Sequence, residues 1–193
     1  MNMVTRCEWV GNDPLMREYH DKEWGTPQHD DQILYELLIL EGMQAGLSWS
    51  TVLKKRENFR KAFDNFNYKI ICKYDDNKVE KLLLDKGIIR NRLKIKSIIT
   101  NAKLFIKIQA EFGSFNNYIW KFVNNKPIDN ACKSMSDIPA HTDLSDLISK
   151  DMKKRGFKFI GTTIIYAYMQ AIGMVNDHAT YCFRYDEIKK SIV

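Results

Sequence analysis

The stretch from Ile33 to Trp49 constrains the fold most, because an apolar helical run leads directly into a carboxylate. Residues 33–40 are apolar at most positions, which indicates a helix with little exposed surface. Glu41 follows at once and is expected to be partly buried. Burying an unpaired carboxylate is costly, so Glu41 is either a salt-bridged helix end beside a core Trp49 or a functional group.

Two glycines follow Glu41 and shape the rest of this stretch. Gly42 and Gly46 weaken a helix and permit turns, which predicts that the helix ends here. Ser48 is a suitable N-cap for the next helix. The sequence therefore predicts a helix–turn–helix corner with Glu41 and Trp49 at its two ends.

Helical periodicity recurs along the whole chain, and no segment has the pattern of a convincing strand. The class predicted for the 193 residues is therefore all-α, in a single domain. A polar tail begins at Arg184. The predicted helices cover residues 14–24, from 30 or 31 into the stretch 40–49, from 48 through 63, 68–74, from 75 or 76 through 84, 93–112, from 114 through 120, 143–155, 161–174, and a short final helix that carries His178 and Cys182.

Composition indicates a globular protein with a moderate excess of positive charge. The net charge is +6, from 30 Lys and Arg against 24 Asp and Glu, which suits nucleic acid without proving it. No apolar run has the length of a membrane span, and the first residues lack the apolar core of a signal peptide. We therefore expect a cytoplasmic protein without membrane contact, whose four cysteines are reduced unless they bind metal.

Cysteine and histidine residues at the two ends of the chain suggest a metal site. His178 and Cys182 are four residues apart, so they would share one face of a helix. Cys7 and His20 lie near the other end, and two thiolates with two imidazoles form a normal tetrahedral zinc set. Spacing alone leaves the alternative of four unrelated side chains open.

The segment Gly87–Arg92 connects two predicted helices through a glycine-centred turn. Such a turn exposes backbone N–H groups beside a helix N-terminus, which suits a nucleic-acid phosphate. The basic residues around it are Arg90, Arg92, Lys94 and Lys96. An ordinary αα-hairpin with solvated charges explains the same pattern, and both readings stay open. A second basic run, residues 153–158, either extends this face or is a cationic helix end.

Seven motifs in order resemble the bacterial 3-methyladenine DNA glycosylase I family, also called the Tag family. They extend from Cys7 to Cys182, nearly the whole chain. The motifs are Cys7-x-Trp9 with Asp13-Pro14, the run Tyr19–Gly25, the run Glu41–Trp49, Lys54–Arg56, Gly87–Arg90, Lys153–Thr163 and Asn176–His178.

This resemblance implies a two-lobed helix-hairpin-helix glycosylase fold with a DNA-binding cleft between the lobes. Residues 1–66 and 142–193 would form one lobe and residues 67–141 the hairpin lobe. It also implies a structural zinc ion held by Cys7, His20, His178 and Cys182. The implied base pocket comprises Tyr19, Trp24, Glu41 and Trp49. The implied DNA contacts are Gly46 and Leu47 in a loop that enters the base stack, with Gly87, Ile88, Ile89, Arg90 and Arg92 in the hairpin.

The implied activity is hydrolytic removal of 3-methyladenine from double-stranded DNA by a monofunctional enzyme, a monomer that releases the free base. The base must be flipped out of the stack, Leu47 can fill the gap, and Trp49 can stack on the cationic ring. Residues 93–107 contain no Asp or Glu, which agrees with a subfamily that lacks a catalytic Asp after the hairpin. Glu41 is therefore assigned chiefly to base recognition, with orientation of the attacking water as a hypothesis. The competing functions are a non-catalytic DNA-binding module and a glycosylase for alkylated guanine.

Overall fold

The computed structural model describes residues 4–191, and within that range α-helices dominate. The predicted all-α class is confirmed, apart from one parallel pairing of two residues per strand between β1 (Ile128–Asp129) and β2 (Val175–Asn176). The helices are α1 (Pro14–Lys22), α2 (Asp31–Gln44), α3 (Trp49–Lys54), α4 (Arg56–Ala62), α5 (Tyr68–Ile71), α6 (Asp76–Leu84), α7 (Arg92–Phe112), α8 (Phe115–Trp120), α9 (Asp143–Arg155), α10 (Thr162–Ala171) and α11 (Phe183–Ser191).

Side-chain caps explain where several helices begin. The Asp13 carboxylate accepts from Leu15 N at the start of α1, and Ser48 Oγ accepts from Thr51 N at the start of α3. Each cap satisfies a backbone donor that the first helical turn leaves free. Both starts agree with the sequence prediction.

Helix α2 lies at the centre of the fold. Its residues 34–43 are all buried, and it packs against α3, α7, α8 and α10. The prediction that it ends within the stretch 40–49 is confirmed, because its last residue is Gln44. Gly42 lies inside this helix, where its lack of a side chain allows Phe159 to approach closely. A Cβ added to Gly42 would lie 3.4 Å from the Cβ of Phe159. Only Gly46, with φ at +77°, has the turn conformation expected of this pair.

Three boundary predictions are corrected. The predicted helix from Ser48 through Phe63 is two helices, with a break at Lys55. Helix α1 ends at Lys22, so Trp24 lies beyond it. His178 and Cys182 do not share a helix. They lie in a turn closed by a 2.7 Å hydrogen bond from Cys182 N to Ala179 O.

The polar tail predicted from Arg184 belongs to α11.

A small second cluster of buried residues lies apart from the main core. It joins the N-terminal segment to the segment before α11 and contains Cys7, Val10, Tyr19, Trp24, Leu53, Ala179 and Cys182. The predicted lobe boundaries near residues 66 and 142 stay a prediction, since α2 packs against helices on both sides of them. Among residues 4–191, no helix combines the length and apolar character that a membrane crossing requires.

Candidate active site

A pocket of about 210 Å³ lies where α1, α2, α3 and α10 meet. Four aromatic side chains and one carboxylate dominate its wall. Those residues are Trp9, Tyr19, Trp24, Glu41 and Trp49. The structure thus brings together all four residues of the predicted base pocket and adds Trp9.

Glu41 enters this pocket from the penultimate turn of α2 and is only 3 % exposed. Its Oε2 atom is buried and has no hydrogen-bond partner. Burial raises the pKa of this carboxyl from 4.5 to about 8. The alternative of a salt-bridged helix end is wrong, because no basic side chain among residues 4–191 pairs with Glu41. A buried, unpaired carboxylate in a pocket is typical of a functional site.

The aromatic rings around Glu41 also have unused polar atoms. The Nε1 atoms of Trp9 and Trp49 are buried without hydrogen-bond partners. The centroids of the Tyr19 and Trp49 rings are 5.1 Å apart, and those of the Trp9 and Trp24 rings are 5.0 Å apart. Burial, and then the charge of Glu41, raise the pKa of the Tyr19 hydroxyl. The pocket therefore fits a flat ring that donates to a carboxylate, accepts from N–H groups and favours aromatic contact.

Next to this pocket, the four predicted metal ligands form one buried cluster. The ligating atoms of Cys7, His20, His178 and Cys182 all lie within 4.8 Å of one another. Cys182 Sγ is 3.5 Å from His20 Nε2 and 3.8 Å from His178 Nδ1, and Cys7 Sγ is 3.7 Å from His178 Nδ1. A tetrahedron with ordinary Zn–S and Zn–N bond lengths has S···N edges of about 3.6 Å. The donor set therefore fits zinc in both type and spacing.

The groups behind these four residues favour ligation. His20 Nδ1 is 2.8 Å from Asp21 Oδ1, and the Asp21 carboxylate also accepts from Arg6. His178 Nε2 is 3.0 Å from the Trp24 carbonyl oxygen, which orients the ring so that Nδ1 faces the cluster. Such outer contacts fix the tautomer and direction of metal-binding histidines. Contacts with the Cys7 thiol and the two imidazoles lower the pKa of Cys182, while the hydrogen bond to Cys182 raises the pKa of Cys7, so the two thiols share a proton.

The predicted hairpin joins α6 to α7. The Asp85 carboxylate accepts from Gly87 N at 2.7 Å, and Lys55 Nζ donates to the Gly87 carbonyl at 3.2 Å. An added Cβ on Gly87 would lie 3.0 Å from that carboxylate, so the turn favours glycine. Ile88 is buried and Ile89 half-buried. The hairpin is thus a well-anchored turn and not a loose loop.

The basic residues around the hairpin differ in availability. Arg90 is exposed, and Arg92 is ion-paired with Glu80 at the surface. An exposed pair of this kind contributes about 0–1 kcal/mol, so a phosphate could replace it. Lys94 does not face solvent with them, because it is buried. In the second basic run, Arg155 pairs with Glu111 and Asp151, which favours a neutralised helix end over a DNA contact.

The turn after α2 carries an exposed leucine. Gly46 is exposed, and Leu47 leaves 42 % of its surface exposed. The turn is closed by a hydrogen bond from Leu47 N to Gln44 O at 2.6 Å. Gly46 and Leu47 thus lie between Glu41 and Trp49, in a segment of nine residues that contributes to both the pocket and the surface.

Comparison with known proteins agrees with this geometry. The family model described as methyladenine glycosylase matches residues 9–185. The chain belongs to the methyladenine glycosylase family. It is 49 % identical over 182 residues to DNA-3-methyladenine glycosylase 1 of Escherichia coli (strain K12), covering 94 % of this chain and 97 % of that one.

Solved structures of similar proteins share the fold. A crystal structure of 3-methyladenine DNA glycosylase I superposes with a TM-score of 0.91 at 50 % identity, covering 93 % of this chain and 98 % of that one. A variant of 3-methyladenine DNA glycosylase I in complex with 3-methyladenine has a TM-score of 0.90 at 34 % identity, with 92 % and 96 % covered. The predicted family and enzyme class, a glycosylase, are thereby confirmed.

This glycosylase also lines its pocket with residues that the sequence reasoning did not assign. Two of them could have been predicted from the sequence: Trp9 belongs to the motif Cys7-x-Trp9, and Gln44 lies three helical positions after Glu41, on the same face of the helix. Ala167 and Gln170 repeat that spacing on α10. Met135 and Ile138 come from a polar connecting segment, where no periodicity marks an inward-facing side chain. The unassigned residues are Trp9, Met16, Gln44, Met135, Ile138, Ala167 and Gln170.

Proposed function

We propose that this glycosylase removes 3-methyladenine from double-stranded DNA by hydrolysing the N-glycosidic bond. The observation that carries the proposal is the buried, unpaired carboxylate of Glu41 in a pocket walled by aromatic rings. Methylation at N3 makes adenine cationic, whereas the normal base is neutral. An anionic acceptor and electron-rich rings therefore favour the damaged base.

Recognition of the base follows from the groups left without partners. Glu41 accepts from the amino edge of adenine and complements the positive ring. Trp49 stacks on that ring, with about 0.5–2 kcal/mol of extra attraction for a cation. Guanine presents a carbonyl oxygen where adenine presents its amino group. A carboxylate facing that oxygen would be repelled, which disfavours the alternative of an alkylated-guanine enzyme.

Bond cleavage needs little acid–base assistance from the protein. When the bond between the sugar carbon and the base nitrogen breaks, its electron pair goes to the ring and neutralises the positive charge. Water supplies the new oxygen on the sugar carbon and releases a proton. Because the leaving group departs neutral, recognition and exposure of the base account for most of the catalysis. Orientation of the attacking water by Glu41 is a second, separate hypothesis beside its role in base recognition.

Release of the free base is the primary test of this function. Duplex DNA methylated at adenine and guanine is incubated with the wild type, and free bases are separated chromatographically. The expected product is mainly 3-methyladenine. DNA binding without any released base would support the non-catalytic module instead, and release of mainly methylguanine would support the other specificity.

The role of Glu41 is tested by Glu41→Gln. The matched control is Glu18→Gln, an exposed residue that pairs with Lys22. We expect Glu41→Gln to weaken free-base binding and turnover together, while the control stays within about twofold of wild type. Binding is followed by quenching of tryptophan fluorescence. Retained base binding with loss of nearly all turnover would instead assign Glu41 to the chemical step.

Contact with DNA is proposed for two surface turns. The exposed Arg90 and Arg92 at the hairpin would hold a phosphate, while Gly46 and Leu47 would enter the gap left by the flipped base. We expect Leu47→Ala to lower excision from duplex DNA about tenfold and to leave free-base binding unchanged. Leu147→Ala removes a similarly exposed leucine on α9 and serves as control. Equal excision by both variants would contradict the role of Leu47.

A structural zinc ion is proposed for the cluster of Cys7, His20, His178 and Cys182. Bound there, zinc would cross-link α1 and the N-terminal segment to the turn before α11. Tyr19 precedes His20, and the Trp24 carbonyl contacts His178, so the cluster supports two walls of the pocket.

Metal analysis tests this site directly. We expect about one zinc ion per wild-type chain and its loss in Cys182→Ala. Cys72→Ala, which removes a half-buried thiol outside the cluster, should retain the metal. Equal zinc content in both variants would refute the proposed ligand set.

A monofunctional reaction, without cleavage of the DNA backbone, is also proposed. Among residues 4–191 no lysine lines the pocket, which supports the proposal. Borohydride should therefore trap no covalent complex between protein and methylated DNA, and a trapped complex would refute the proposal. The monomeric state and the cytoplasmic location stay predictions, and gel filtration with methylated DNA tests the first.

A further inference from the structure

Lys94 occupies an unusual place for a lysine. It is the third residue of α7 and only 6 % exposed, although it follows the hairpin directly. Burial lowers its pKa, and the positive end of the α7 dipole disfavours a cation there as well. Within residues 4–191, no carboxylate forms an ion pair with its ammonium group. Its contacts must therefore offset an unfavourable position.

Those contacts are two backbone carbonyls at the end of α2. Lys94 Nζ donates to Met43 O at 2.9 Å and to Ala45 O at 2.7 Å. Carbonyls in the last turn of a helix lack helical partners and carry partial negative charge, so a buried ammonium satisfies them well. Charged hydrogen bonds of this kind are among the stronger ones in proteins. Lys94 therefore fixes the exit of α2, directly before Gly46 and Leu47.

The backbone of Lys94 is fixed from the hairpin side. Asn91 Oδ1 accepts from Lys94 N at 3.1 Å, and Asn91 N donates to Ile89 O at 3.0 Å. Ser97 Oγ donates to Lys94 O at 2.6 Å. Lys94 thus contacts the hairpin through its main chain, and through its side chain it contacts the backbone directly before the exposed Gly46–Leu47 turn.

We propose that Lys94 is a positioning residue that holds the Gly46–Leu47 turn in register with the hairpin, so that phosphate contact at the hairpin places Leu47 at the base stack. The inference rests on the proposed function, in which Leu47 fills the gap left by the flipped base. Lys94 contacts neither base nor phosphate in this role. Its effect on excision passes through Leu47.

Lys94→Met tests this role, because it keeps the apolar stem and removes the ammonium. Lys96→Met is the matched control, since Lys96 lies on the same helix, is half-exposed and pairs with Asp76 at the surface. Both variants lose one positive charge near the hairpin. We expect Lys94→Met to lower single-turnover excision from duplex DNA about tenfold, as Leu47→Ala does, and Lys96→Met about twofold or less.

A double-mutant cycle with Leu47→Ala separates positioning from general damage. If Lys94 acts through Leu47, Lys94→Met should lower excision less than about threefold in the Leu47→Ala background. The single variants Lys94→Met and Leu47→Ala should both bind free 3-methyladenine as wild type does, as measured by quenching of tryptophan fluorescence. If Lys94→Met does not fold, Lys94→Gln, whose shorter amide cannot span both carbonyls, replaces it in the same cycle.

The possible outcomes distinguish a failure of this inference from a failure of the proposed function. A wild type that releases no base would refute the proposed function. A wild type that releases 3-methyladenine, with Lys94 and Lys96 variants alike or with losses that multiply in the cycle, would refute the role of Lys94. Loss of free-base binding in a folded Lys94→Met variant would also refute it, because the defect would then lie in the pocket.

Discussion

The pH dependence of excision should report the ionisation of Glu41. Burial raises its pKa to about 8, so near pH 7 only about a tenth of the free enzyme carries the carboxylate that the cationic base needs. At pH 6 that fraction is about a hundredth, and at pH 8 about a half. Because kcat/KM follows the ionisation of the free enzyme, it should rise roughly fiftyfold between pH 6 and pH 8 and then level off.

The assay is excision of 3-methyladenine from a duplex at fixed ionic strength, with enzyme in excess over DNA. In DNA the damaged base keeps its charge over this range, so the slope reports the protein. Glu41→Gln should be low and independent of pH, while Glu18→Gln should reproduce the wild-type profile. A flat wild-type profile between pH 6 and pH 8 would refute the reasoning, and so would a sloping profile in Glu41→Gln.

The remaining predictions concern stability and the metal. Between pH 4.5 and about 8 the unfolded chain releases the Glu41 proton and the folded chain keeps it, so the stability of wild type falls with pH. In this pH range, the free energy of unfolding of Glu41→Gln, measured with urea, should rise relative to that of wild type by about 1.4 kcal/mol per pH unit. A difference between the two proteins that does not change with pH would contradict this. Gly25→Ala should lower the unfolding midpoint by more than Gly11→Ala, because both have positive φ but only at Gly25 would a Cβ lie 2.8 Å from His178 Nε2. Removal of the metal with a chelator should lower the thermal midpoint, and added zinc should restore it; calorimetry with no shift would argue against a structural ion.

Local chemistry predicted much of the helical framework. Asp13 and Ser48 act as caps because a short polar side chain before an apolar pattern satisfies the first free N–H groups. The break at Lys55 has no comparable signal, since neither glycine nor proline marks it. Gly42 was misassigned because its small size serves packing against Phe159 and not a turn. Propensity does not distinguish those two uses of glycine.

In the candidate site, too, some features could be predicted from the sequence and others could not. His178 and Cys182 were paired for their helical spacing, yet a turn and not a helix brings them together. Lys94 was counted among the basic residues of the hairpin surface, and its charge faces inward instead. Side-chain type indicated metal and DNA chemistry, whereas the direction of each side chain depended on tertiary contacts that no periodicity encodes.

The buried cluster of Cys7, His20, His178 and Cys182 has a consequence for the order in which the protein can complete its fold during synthesis. Cys7 and His178 are separated by 171 positions, so a ribosome must make nearly all of the described chain before the two can meet. Tyr19 and Trp24 emerge early but lack their supporting neighbours until Cys182 has left the exit tunnel. The pocket around Glu41, encoded mostly by the first fifty residues, is therefore among the last parts of the molecule to reach its final form.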